Sequence, residues 1–402
     1  MIFLKINSKI FLHIDANSAF LSWTACEILK KDKNLDIRNI ASAIAGDPLN
    51  RHGIILAKST LAKKCNVVTG ETIQSALSKC KDLKIYKPDY NVYKKYSNEM
   101  GKILMKYSAN IEQYSIDEYF IEYVPLYGDY LEVAKKIQNE IYTSLGFTVN
   151  IGISDKKVLA KMASDFEKPN KIHTLFKEEI KQKLWPLPIE SLFLCGKKTS
   201  NKLRSIGIDT IGKLANSDVS LITFHLKSQG KLLHDYANGI DESCIEKREK
   251  NKCLSNSVTT PEDITTLEHA FKTLLSLTEN LTTRLRDNKC KAHTITLQIK
   301  LNNFETSSHS KTFSIATNST KEIYNVSKDL LVKNWNGLPI RLLGVTLSNL
   351  IEDTDIQLDF FSEKTNKELQ VNNSIDNLLK KYGNSLKITR CSNLISNKNN
   401  EN

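Results

Sequence analysis

Apolar positions along the chain mark out the elements. Phe11 to Asp15 is a short apolar run that ends on a carboxylate, the pattern of a buried strand. From Asn17 to about Lys31 the apolar residues recur at helical spacing, with Phe20, Trp23, Thr24 and Ile28 near one face. Gly53 to Ala57 reads as a second apolar strand and leads into a short helix ending near Asn66. Tyr90 to about Ser108 is an amphipathic helix rich in Tyr and Lys, and Ile111 to Val124 has the pattern of a hairpin with Ser115–Glu118 near its turn. A helix over Asp129–Leu145 and a strand over Phe147–Ile153 follow. A second helix, Lys156–Lys168, is ended by Pro169. Strands and helices alternate while the strands return, which predicts an α+β core.

After Asn170 the character changes. Ile189 to Ala215 reads as three helices joined by tight turns, with Gly196, Gly207 and Gly212 at the turns. Glu246–Lys252 is a charged polar run, read as a linker or else as an exposed helix end. Beyond it the order is strand, helix, strand, strand, helix, strand: Ser257–Thr260, Leu267–Arg286, Ala292–Leu301, Lys311–Ile315, Lys321–Val332 and Leu342–Leu350. That order suits a small α/β sandwich. With 402 residues the chain exceeds one compact core, so about two to four domains are expected. A net charge of +12 favours an anionic partner, nucleic acid or an acidic membrane surface, although solubility alone also accounts for it. The eight cysteines lie far apart, as reduced thiols in cytosol do. Lys5 and Lys9 break the apolar N-terminus, which excludes a signal peptide, and no run reaches membrane-spanning length.

The candidate chemistry lies in carboxylates and lysines. Asp15 ends a buried strand, which holds a carboxylate rigidly at an edge. Asp117 and Glu118 are neighbours and would face opposite ways on a regular strand, so they share a metal only where the backbone bends. Their embedding in Tyr114–Ile121, apolar on both sides, requires cations or hydrogen bonds nearby. Lys161 and Lys168 share a face of their helix with Asp165 between them. The plain reading is a solvated Lys161–Asp165 pair; the sharper one sets Lys168 at a triphosphate, with Lys63 and Lys64 opposite. Carboxylates that gather divalent cations beside lysines that neutralise phosphates suit phosphoryl or nucleotidyl transfer. Leu192–Ile208 has the pattern of a helix-hairpin-helix, whose turn binds a DNA phosphate through backbone N–H groups. Leu194 stands at the first glycine position of that turn and only Gly196 remains; a generic helix pair is the alternative. Gln357–Phe361 suits an extended peptide docking in a partner's apolar pocket, or a tail packed on its own domain.

In this order and spacing the motifs resemble the Y-family, or DinB/UmuC-type, translesion DNA polymerases over about residues 10 to 395. Ile10–Trp23 most resembles a Firmicute-type UmuC-like branch. The resemblance implies an α+β multidomain right hand: palm over 1–17 and 84–175, small fingers over 18–83 and a helical thumb over 176–240. A linker over 241–252, an α/β little finger over 253–352 and a tail over 353–402 complete it. It implies template-directed addition of dNTPs to a primer 3′-OH by two-metal transfer, without proofreading, in DNA repair and the SOS response. The metal carboxylates would be Asp15, Asp117 and Glu118, joined by the Ala16 carbonyl, with two Mg²⁺ ions for which Mn²⁺ could substitute. Phe20 matches the steric gate against a ribose 2′-OH. Lys63, Lys168 and Thr60 match triphosphate positions, and Ile54, Leu56 and Gly70 match the roof of the nascent base pair. DNA phosphate would meet Gly196, Lys197 and Lys198, and a sliding clamp would meet Gln357, Leu358, Phe360 and Phe361. The expected partners are primer-template DNA, dNTPs and a clamp, for a cytoplasmic monomer free of membranes. Several positions depart from the family pattern: Asn17 where some members have Asp, Lys63 in place of Arg, Thr60 in place of Tyr, and Leu194. Two other functions remain open: an inactive DNA-binding or clamp-associated module of the same fold, and a palm-domain nucleotidyl cyclase.

Overall fold

The computed structural model of the protein describes residues 9–47, 53–124, 129–246 and 251–353, with the single helical positions Ser374 and Leu378. From the N-terminal side come β1 (Ile10–Ala16), α1 (Ala19–Lys31), β2 (Ser42–Ala45), β3 (Ile55–Lys58), α2 (Thr60–Lys64), α3 (Ile73–Lys79), β4 (Lys84–Tyr86) and α4 (Tyr90–Leu104). Next are β5 (Ile111–Gln113), β6 (Glu118–Tyr123), α5 (Tyr130–Leu145), β7 (Val149–Ser154), α6 (Lys157–Ser164) and β8 (Ile172–Thr174). Four helices follow: α7 (Lys197–Ser205), α8 (Ile211–Ala215), α9 (Val219–Leu226) and α10 (Ser228–Ala237). The last group is β9 (Cys253–Ile264), α11 (Leu267–Asp287), β10 (Cys290–Leu301), β11 (Thr306–Thr317), α12 (Thr320–Asn334) and β12 (Ile340–Glu352).

β1 is buried along its whole length because it is the middle strand of a five-stranded sheet, order β5-β6-β1-β7-β8. Side chains alternate between the faces of a strand. Ile10, Leu12, Ile14 and Ala16 therefore join Tyr119, Ile121 and Tyr123 of β6 in an apolar core under α1, α4 and α5. The other face of β1 carries Phe11, His13 and Asp15. Antiparallel register sets Asp15 opposite Glu118 on one side and Asn150 on the other, and His13 opposite Phe120 and Gly152. This face is polar, and α6 lies over it. All eight residues of α6 are buried, with Val158, Leu159, Met162 and Ala163 turned into a second core shared with α7, α8 and α10.

The approach of α6 depends on Gly152. A Cβ there would sit 2.0 Å from Ala160 O and 2.4 Å from Ser164 N. Both are backbone atoms that no side-chain rotation can clear.

A three-stranded sheet, order β3-β2-β4, forms a separate layer with α2 and α3. β4 pairs in parallel with β2, so the portion delimited as 18–83 from the sequence extends to Tyr86 by hydrogen bonding. The described residues divide into two compact units, the second holding residues 251–353. In the second unit a four-stranded antiparallel sheet, order β11-β10-β12-β9, shares one apolar core with α11 and α12.

The structure corrects several expectations. The helix expected over Lys156–Lys168 stops at Ser164, with Asp165 as its C-cap. Pro169 follows Lys168, and a residue before proline is disfavoured in helix. Lys168 therefore lies on a loop and not on the helical face of Lys161. The helix expected from Ile189 is one 3-10 turn, Ile189–Ser191. Gly212 lies inside α8, where its missing side chain leaves room for Trp185, and is not at a turn. Of the charged run Glu246–Lys252 only residues 246, 251 and 252 are described, and none of them is helical; the rest of that stretch lies outside the described residues.

Gly152→Ala is expected to destabilise folding by roughly 3 kcal/mol or more, since the added methyl overlaps backbone. Thermal unfolding measures it; a melting temperature equal to wild type would show that α6 can withdraw from the sheet freely.

Candidate active site

The bend that the Asp117–Glu118 pair requires is present. β6 begins at Glu118, so Asp117 belongs to the preceding turn. Ser115 Oγ donates to Asp117 Oδ1 at 2.6 Å. Tyr114 N and Ser115 N both donate to Glu118 O, at 3.0 and 3.2 Å, and Ala16 N donates to Asp117 O at 3.0 Å. The turn is thereby fastened to the end of β1. Asp15 and Glu118 face each other in register, and Asp117 and Ala16 are joined by a backbone bond.

Two lysines meet these carboxylates. Lys168 Nζ lies 2.7 Å from Asp15 Oδ2. Lys161 Nζ lies 2.7 Å from Glu118 Oε1 and 3.8 Å from Asp15 Oδ2. Asp165 completes the group, 3.1 Å from Lys161 and 2.8 Å from Lys168. The i,i+4 pair expected of Lys161 and Asp165 is therefore present, but Lys161 is buried, only 8% exposed. Burial pushes the Asp15 carboxyl up to about 6 from 3.8, although Lys168 and Lys161 pull the other way. For Lys161 and Lys168 burial opposes the charge, yet the surrounding carboxylates outweigh it and raise both ammonium groups.

His13 lies beneath this cluster, fully buried. Burial first, then Lys161 and Lys168, hold its pKa well below the usual value, so it is neutral. Its Nδ1 is 2.8 Å from Ser164 Oγ, which is in turn 2.8 Å from Lys161 O. Among the described residues Nε2 has no hydrogen-bond partner, and the ring packs against Phe120 at 4.5 Å between centroids.

The sequence reading missed a carboxamide scaffold that holds the Lys168 loop. Asn17 Nδ2 donates to Asn150 Oδ1 at 3.1 Å. Asn150 Nδ2 donates to Ser164 O and to Glu167 O, and Lys171 N donates to Asn150 Oδ1. Asn170 N and Thr148 Oγ1 both donate to Asn17 Oδ1. The loop after α6 is thus tied at both ends to β1 and β7, which delivers Lys168 to Asp15. A polar residue inside the apolar strand Val149–Ile153 was the available signal.

Phe20 sits in the first turn of α1, stacked on Tyr93 at 4.5 Å and 11° and edge-on to Tyr90 at 6.0 Å. Thr60 opens α2 as an exposed residue behind the Ser59 cap, and Lys63 lies in the last turn. Lys58, which the sequence reading passed over, neighbours Lys63: burial and that second ammonium both lower its pKa. Ile54 bridges Thr72, while Gly70 N donates to Ile55 O at 2.8 Å with φ +90. Ile54, Leu56 and Gly70 are therefore gathered along β3. Gly196 is the N-cap of α7, with Lys197 and Lys198 in the first turn. Leu194 adopts φ 64, the left-handed backbone that a glycine would favour at that place. Gln357, Leu358, Phe360 and Phe361 lie outside the described residues.

Among the described residues, no three His, Cys, Asp or Glu side chains already converge on a cation position. The ammonium groups of Lys161 and Lys168 lie on the carboxylates instead. The donor set nonetheless fits a divalent ion, being hard carboxylate and carbonyl oxygen. The raised Asp15 also shows that two lysines leave its burial incompletely offset.

The impB/mucB/samB family matches residues 14–165, and the family's C-terminal domain matches residues 251–360. A protein named DNA polymerase IV from Clostridium acetobutylicum is 43% identical over 383 residues, covering 94% of this chain and 97% of its own. Another of that name, from Clostridium kluyveri, is 37% identical and covers 94% and 96%. Among solved structures a Y-family DNA polymerase chimera superposes with a TM-score of 0.74 at 20% identity, over 85% of this chain and 99% of its own; that likeness concerns fold.

Proposed function

The chain belongs to the impB/mucB/samB family, the Y-family DNA polymerases, and we propose that Asp15, Asp117 and Glu118 hold the divalent metal its primer extension needs. It is a translesion DNA polymerase with a palm, fingers, thumb and little finger. That activity sets aside both the inactive module and the nucleotidyl cyclase. One observation carries the assignment of residues: the register that pairs Asp15 with Glu118 while Ala16 N binds Asp117 O. Three carboxylates and the Ala16 carbonyl then share one end of the central strand.

With two Mg²⁺ ions bound, for which Mn²⁺ could substitute, the site would acidify the primer 3′-OH and stabilise the pyrophosphate leaving group. The protein's own groups do the rest. Lys168 and Lys63 neutralise charge on the triphosphate, and Thr60 adds a hydrogen bond to it. Phe20, held flat on Tyr93, fills the space a ribose 2′-OH needs. Ile54, Leu56 and Gly70 roof the nascent base pair. Gly196, Lys197 and Lys198 take DNA phosphate without reading sequence. The segment Gln357–Phe361 docks a sliding clamp. The enzyme works as a cytoplasmic monomer; no helix among the described residues is long and apolar enough to cross a membrane.

Three outcomes test these assignments. Asp117→Asn or Glu118→Gln should lower primer extension by ~100-fold or more while DNA binding persists; near-normal extension by either variant removes the metal assignment. Phe20→Ala should shift the ratio of dNTP to rNTP use by roughly 100-fold toward ribonucleotides, measured in single-nucleotide incorporation. An unchanged ratio places the gate elsewhere. Phe360→Ala combined with Phe361→Ala should abolish clamp-stimulated synthesis and spare basal activity, because buried aromatic anchors each carry ~2 kcal/mol or more of such binding. Undiminished clamp affinity would make the segment a packing element.

A further inference from the structure

Asp165 is used by none of the roles above, yet it touches both lysines of the site. Its two oxygens divide between them: Oδ1 lies 2.8 Å from Lys168 Nζ and Oδ2 lies 3.1 Å from Lys161 Nζ. Its backbone is fixed as the C-cap of α6, with its N–H bonded to Met162 O. It stands at the rim, 43% exposed in its side chain against 10% for Asp15. Lys168 thus has Asp15 among the deep carboxylates, Lys161 has Glu118 and, at 3.8 Å, Asp15, and both have Asp165 outside them.

This geometry has a consequence for exchange. When Asp15 and Glu118 turn their oxygens to metal ions, Lys168 and Lys161 lose their inner partners at the moment positive charge enters the site. Asp165 is the acceptor that remains within contact of both. We propose that Asp165 is a positioning residue for nucleotide binding: it retains the Lys168 ammonium beside the site once Asp15 is given up, so that Lys168 is in place for the triphosphate. The proposal rests on the assignment of Lys168 to the triphosphate. Without Asp165, Lys168 has Asp15 alone among the described residues, competes harder for that carboxylate, and has no defined second position. The dipole of α6 adds to the effect, since its C-terminal end favours cations.

The test uses the full-length protein as wild type, Asp165→Asn, Lys168→Ala, the double variant and Asp165→Glu. Mn²⁺ binding without nucleotide is followed by the electron paramagnetic resonance of the free ion. KM for dNTP and kcat are measured in primer extension. Asp165→Asn should weaken Mn²⁺ binding and raise the dNTP KM, each about fivefold, the effect of one half-exposed ion pair, with kcat within about twofold. Lys168→Ala should tighten Mn²⁺ binding and raise the KM. In the Lys168→Ala background, Asp165→Asn should add nothing to the KM and lose less Mn²⁺ affinity than in wild type. Asp165→Glu should recover most of both. Equal losses in the two backgrounds would mean that only net charge matters and would overturn the proposal, as would an unchanged KM in Asp165→Asn when Lys168→Ala raises it. An unchanged KM in Lys168→Ala overturns instead the placement of Lys168 at the triphosphate; the proposal then falls with its premise.

Discussion

The pairing of β1 with β6 places two carboxylates side by side in a buried layer, and the molecule around them is organised by that charge. Buried carboxylates require partners of opposite sign or hydrogen bonds. Lys161 and Lys168 supply the sign, Ser115 the hydrogen bond to Asp117. Lys161 reaches Glu118 because α6 lies close on the sheet, and α6 lies close because position 152 lacks a side chain. Lys168 reaches Asp15 because two asparagines hold the loop after α6 by its backbone. The charge, the glycine and the carboxamides thus form one dependent set, although they are spread from residue 13 to residue 171.

The same dependence explains what could be read from the chain. The carboxylates were legible: the apolar run placed Asp15 at the end of a buried strand, and the adjacency of Asp117 and Glu118 demanded a bend that the turn at Ser115–Asp117 provides. Lys161 and Lys168 were legible as neighbours, but for the wrong reason. Helical spacing put them on one face, whereas the helix ends at Ser164 and Lys168 arrives by a loop. The side-chain contacts of Asn17 and Asn150 help to fix that path, and single-strand patterns contain no such information. β2 and β4 were missed because runs of three or four residues do not establish a period. β11 was seen only around Lys311–Ile315, since the rest of this strand is polar and largely exposed.

The departures from the family pattern have physical content too. Leu194 keeps φ 64 without being a glycine, at a cost of about 1–2 kcal/mol for a side chain in the left-handed region. The turn before α7 thus has the left-handed backbone there even without a glycine. Lys63 gives a point charge where Arg would give a fork, and Lys58 beside it concentrates positive charge on the same small sheet. Positive charge there is distributed over two ammonium groups, neither of which has the geometry of a guanidinium.

The aromatic contacts of Phe20 continue inward. Tyr93 lies 6.0 Å from Trp23, and Trp23 meets Tyr96 at 6.4 Å and Phe147 at 5.9 Å, ring to ring, in the core under the palm sheet. With Tyr90, the Phe20 ring thus stands at the outer end of an aromatic column whose inner members are buried. With Phe20 as the proposed gate, discrimination between sugars becomes heritable through residues deep in that column: a lineage could loosen or sharpen it by drift in its interior packing while every residue at the catalytic surface stays the same.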